Sequence, residues 1–136
     1  MVPQGMHHHE VTTQYNTELG QELLSVWSII VCGWGTWNPY ATTDSWAVLR
    51  ALELWCDAVV KVTTVDWVYD KDPNVHTDAK KYSSLTHADA VKQWLNVMDM
   101  SAFWMAKENW LAIYVCEFNG VATLWTDGFT GTYIHA

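Results

Sequence analysis

The chain has 136 residues, 50% of them hydrophobic, and a net charge of −8 from 7 Lys+Arg against 15 Asp+Glu. That much apolar surface excludes intrinsic disorder, and the acidic balance disfavours a cationic nucleic-acid-binding face. Charged residues are only 16%, against roughly 25% in ordinary soluble domains, and ten residues are tryptophan.

Residues 1–9 read as a flexible lead. His7, His8 and His9 are a polar tract with at most a loose affinity for a transition metal. The opening MVPQGMHHHE has no apolar core of a signal peptide, and no run of roughly 18 apolar residues predicts a membrane span. Residues 10–15 (EVTTQY) favour a short edge strand. Residues 10–136 are expected to form one domain.

Residues 18–32 carry Leu19, Leu23, Val26, Trp27, Ile30 and Val31 at helical spacing, with Thr17 as cap and Gly33 as stop. SIIVC could instead be a buried strand. Residues 33–43 read as a loop. The clearest helix spans about 44–61, with Val48, Leu52, Trp55 and Val59 in one stripe and Arg50, Glu53, Asp57 and Lys61 on the solvated face. Residues 62–70 alternate as a strand. A polar loop follows to 85, and Thr86 opens a helix to about 106. WLAIYVCEF, Asn119-Gly120 and VATLW read as a hairpin, and Thr126-Asp127-Gly128 leads into a third strand, FTGTYIH. The expected fold class is α+β: about three helices on one face of an antiparallel sheet with a C-terminal three-stranded meander.

Few patterns point to chemistry. Asp70, Asp72, Asn74 and Asp78 fall at alternate positions of a calcium-loop template, but Val75 and Lys81 occupy its glycine and glutamate places, so a solvated turn is expected and no metal site. Cys32, Cys56 and Cys116 lack CxxC or zinc-type spacing, which suggests a reduced, cytoplasmic setting. Cys32, beside Gly33, is the best placed for a cysteine-dependent enzyme, yet no nucleophile signature supports one. The glycines of VCGWGTWNPY match neither GxGxxG nor GxxxxGK[ST], so no nucleotide-binding loop and no cofactor are expected.

The remaining feature is the aromatic loop. Trp34, Trp37, Tyr40 and Trp46 lie beside Asn38 and Asp44, and interfaces favour such residues. The leading expectation is a non-catalytic acidic interaction module, an inhibitor-like protein. It would bind a protein partner with a basic surface, such as a nucleic-acid-processing enzyme, and make no direct contact with nucleic acid or membrane. The aromatics would anchor it, with Asp44 at the rim. A carbohydrate- or small-ligand-binding module using the same rings is the alternative, and self-association through them is open.

Overall fold

A computed structural model describes residues 13–33, 38–95 and 97–136. The expected N-terminal lead with its histidines, the start of the 10–15 strand, and Trp34 and Trp37 lie outside the described residues. Residues 13–15 are not in a strand.

Four helices are described: α1 (Thr17–Ser25), α2 (Thr43–Glu53), α3 (His87–Lys92) and α4 (Met100–Glu108). Each begins on a side chain that accepts a hydrogen bond from a first-turn N–H: Asn16, Thr42, Thr86 and Asp99 respectively. Such caps satisfy amides that have no partner within the helix. Thr86 performs the role its spacing to Asp89 predicts.

The strands are β1 (Ala58–Val62), β2 (Val68–Tyr69), β3 (Lys81–Tyr82), β4 (Ser84–Thr86), β5 (Ala112–Cys116) and β6 (Thr132–His135). The main sheet has the order β1-β5-β6-β4. β1 runs parallel to β5, β4 runs parallel to β6, and only β5 and β6 are antiparallel. A separate two-stranded ribbon pairs β2 with β3.

This mixed, partly parallel sheet corrects the expected α+β meander. The second meander strand does not form: residues 118–123 are a 3-10 helix instead. Gly120 is there for space, not for a hairpin turn. A Cβ on it would lie 2.5 Å from the Thr130 carbonyl oxygen and 2.8 Å from the Cys116 Cβ. Gly131 is tighter still, with the Val115 carbonyl oxygen 2.4 Å from where a Cβ would be. Because backbone of β5 cannot step aside, Gly131→Ala should destabilise the domain by about 1–3 kcal/mol, measured by urea unfolding.

One face of the sheet supplies the core. Val59, Ile113, Val115, Leu85 and Ile134 pack with Val48 and Ala51 of α2 and with Ala102, Phe103 and Ala106 of α4. The strand period of two turns Ala58, Val60, Tyr114 and Tyr133 to the opposite face. They line a cavity of about 440 Å³ there together with Asp57, Ala112, Leu124 and Trp125. Tyr114 and Tyr133 stack at 4.8 Å on that face. Among the described residues, no helix is long and apolar enough to cross a membrane.

Candidate functional site

Two helix beginnings meet beside the carboxyl end of β1. Lys61, next to last in β1, points to the helix-covered face and reaches Asp44 in the first turn of α2, Nζ to Oδ2 2.6 Å. The same Asp44 oxygen accepts from the Asp99 backbone N–H at 3.3 Å. Asp99 caps α4, taking the Ala102 N–H at 2.9 Å. Its carboxylate also accepts from the hydroxyls of Thr42, Ser45 and Ser101. Thr42 in turn caps α2 by accepting the Ser45 N–H at 3.1 Å. The Ser45 and Ser101 hydroxyls lie 2.8 Å apart. The starts of α2 and α4 are therefore bound through one polar knot.

Burial alone would raise the Asp99 carboxyl, but hydrogen bonds from Ser101, Thr42, Ala102 and Ser45 outweigh it and hold it at about 2. The knot contains a fixed anion. Helix N-termini carry partial positive charge and unpaired amides, and Lys61 adds a full cation. The arrangement can hold an anionic group near Lys61 and the first turn of α2, in the crevice outside the ends of the parallel strands where open α/β sheets place ligands.

Of the residues singled out from the sequence, Asp44 alone stands in this knot. Trp34 and Trp37 are outside the described residues. Asn38 and Tyr40 are exposed in the loop before α2, Tyr40 fully so. Trp46 is half-buried on α2, and its ring faces the Arg50 guanidinium at 5.8 Å. Arg50 also lies over Tyr15 at 3.6 Å and pairs with Glu53. Trp46 therefore packs within the domain and is no exposed anchor.

Lys61, Asp99, Thr42, Ser45 and Ser101 were missed. Lys61 was expected on the solvated face of an over-long helix. The Thr42 and Asp99 positions carry an ordinary cap signal, but a cap signal does not reveal that two caps face each other.

The 70–81 loop spends its oxygens locally. Asp72 Oδ1 accepts the Asn74 N–H at 2.8 Å, Asp70 Oδ1 accepts the Lys80 N–H at 2.8 Å, and Lys71 pairs with Asp78 at 2.6 Å. Among the described residues no group of three or more His, Cys, Asp or Glu side chains is arranged for a metal. Cys56 and Cys116 do not resemble nucleophiles. Cys56 is exposed beyond the end of α2, and desolvation and then the neighbouring Asp57 push its thiol up. Burial does the same to Cys116. An activated thiol needs the opposite shift.

Comparison with known proteins decides the lineage. Residues 2–117 match the model of the amino acid kinase family. The chain belongs to that family. A uridylate kinase of Francisella tularensis is 42% identical over 120 residues, spanning 86% of this chain and 48% of its own length. A uridylate kinase of Helicobacter hepaticus is 47% identical over 89 residues, covering 65% and 38%. The crystal structure of the UMP kinase from Bacillus anthracis superposes with a TM-score of 0.88 at 31% identity, over 94% of this chain and 54% of that one. That of Ureaplasma parvum gives 0.86 at 26% identity, over 96% and 57%. The chain thus spans about half the length of the relatives it matches. Membership in a kinase family overturns the expected non-catalytic inhibitor module, its carbohydrate-binding alternative and the cysteine enzyme.

Proposed function

We propose that this chain contributes to phosphoryl transfer onto uridylate. The observation that carries this reading is Lys61 meeting the first turn of α2 at the carboxyl end of β1, in a chain of a kinase family whose similar members are named uridylate kinases. In the reaction an oxygen of the uridylate phosphate attacks the terminal phosphorus of the donor. The bond from that phosphorus to the bridging oxygen breaks, and uridine diphosphate and the shortened donor leave. Charge accumulates on the transferred group's oxygens. Catalysis is then mostly a matter of positioning and of fixed positive charge.

Lys61 is the compact cation for that task, and the amides at the start of α2 are ready donors. Asp44 keeps Lys61 directed at the helix start and yields part of that contact when a phosphate arrives. Asp99, Thr42, Ser45 and Ser101 hold the two helix starts at a fixed separation, so the donors need no reorganisation. Local positive charge matters more here because the chain as a whole is acidic and repels phosphate at a distance.

The direct test supplies uridylate and a nucleoside triphosphate and follows uridine diphosphate by phosphorus NMR, with calorimetry for nucleotide binding. Product formation, or saturable binding of uridylate that weakens in Lys61→Ala, supports the reading. Neither product nor binding of either nucleotide overturns it.

A further inference from the structure

All four described helices leave by the same backbone route, and tryptophan occupies the same place in each. Val26, Leu54, Gln93 and Asn109 are the C-caps. The next residue is Trp27, Trp55, Trp94 or Trp110, with φ of 63°, 56°, 53° and 59°. At each exit the tryptophan N–H bonds back three residues, to Leu24, Leu52, Val91 and Lys107. The following N–H bonds back five, from Ser28 to Leu23, Cys56 to Ala51, Leu95 to Ala90 and Leu111 to Ala106, at 2.8–3.1 Å. This pair of bonds is the Schellman ending, whose left-handed residue is ordinarily glycine, sometimes asparagine.

An L side chain there crowds the following carbonyl oxygen, and a bulky one is a rare outlier. Four in one small domain, all the same residue, need one cause. A shared surface is not that cause. The four indoles lie at the ends of four different helices, 95%, 83%, 80% and 77% exposed, and none is among the described ring or cation contacts. What the positions share is the backbone. Tyr40, at φ 65°, is the fifth non-glycine residue with positive φ among the described residues, and it sits in a turn, not at a helix end.

We propose that Trp27, Trp55, Trp94 and Trp110 stand at glycine positions, and that the cell encoding this protein inserts glycine at the codon read here as tryptophan. Four of the ten tryptophans are then explained by the backbone they stand on.

The test is peptide sequencing by mass spectrometry of the protein isolated from the cells that encode it. Peptides spanning residues 27, 55, 94 and 110 should each be lighter by the difference between an indolylmethyl group and a hydrogen. Tryptophan at these positions overturns the decoding, whatever the enzyme does. The second measurement compares thermal melting of the recombinant chain as written with the variant carrying Trp27→Gly, Trp55→Gly, Trp94→Gly and Trp110→Gly. Relief of four left-handed side chains should raise the midpoint by roughly 10 °C or more. An equal or lower midpoint overturns the claim that these exits are built for glycine.

Discussion

Lys61→Ala should lower the rate of the uridylate phosphorylation proposed for this chain by about 10²–10³-fold while leaving the fold intact. The two effects separate because of where the residue stands. Its ammonium is about a quarter exposed and pairs with an Asp44 carboxylate of similar exposure. A pair of that kind contributes about 0–1 kcal/mol to stability, since water screens it and two side chains lose freedom to make it. Removing the cation that pairs with Asp44 at the start of α2 has a different consequence for catalysis. The developing phosphoryl charge then faces Asp44 without its counter-ion. Lys61→Arg should restore little, because a planar fork cannot replace a compact ammonium in the same space. Turnover and urea midpoint measured on the same preparations check this. If the midpoint falls in step with turnover, Lys61 is a structural residue and the site lies elsewhere.

The sequence misplaced Lys61 for a physical reason that applies to the whole chain. Three helices were expected to run too far: 18–32, 44–61 and 86–106. They stop at Ser25, Glu53 and Lys92, each two residues before Trp27, Trp55 or Trp94. The stop is a left-handed residue, which glycine announces and tryptophan conceals. With the stop at residue 55 hidden, AVVKV was absorbed into a helix and its strand was lost. The parallel pairing of β1 with β5 was lost with it, and so was the crevice at their ends. The last two strands lie closer to expectation. β5 and β6 fall inside the expected 110–118 and 129–135, and they do pair antiparallel. The connection between them was misread because Asn119-Gly120 carries a turn signature, whereas Gly120 is required by the close approach of Thr130 and Cys116. Neither cap of the polar knot was legible: Asp99 falls inside the helix expected over 86–106, and Thr42 lies in the loop ahead of the helix expected from about 44. That Thr42 and Asp99 share a hydrogen bond across 57 residues is a tertiary fact, and no local pattern encodes it.

Asp99→Ala should cost roughly 2–3 kcal/mol, and it should do so through acid-sensitive bonds. The change removes the cap of α4, worth about 0.5–2 kcal/mol. It also takes an acceptor from Ser45, which is buried, leaving a hydroxyl with fewer partners at about 1 kcal/mol more. The pH dependence identifies the carboxylate. Asp99 titrates at about 2 in the folded protein, below the ordinary value of roughly 3.9 expected when unfolded. A depressed carboxyl contributes stability that is present above the unfolded value and disappears as pH falls toward the folded one. Stability should therefore decline between about pH 4 and pH 2 through this group. His87 contributes an earlier decline. It is 2% exposed, edge-on to Phe103, and burial pushes its imidazole down, with the His135 and Leu111 carbonyls pulling weakly the other way. Its contribution is present above roughly pH 6.5 and is lost as the buried ring is forced to charge on acidification. The two limbs are separable by substitution. Asp99→Ala should flatten the limb below about pH 4 and leave the one below about pH 6.5, with His87→Phe doing the reverse. Denaturant midpoints collected from pH 7 to pH 2 read both at once. An unchanged acid limb in Asp99→Ala would mean that the carboxylate does not hold the starts of α2 and α4 together, and the fixed geometry beside Lys61 would need another source.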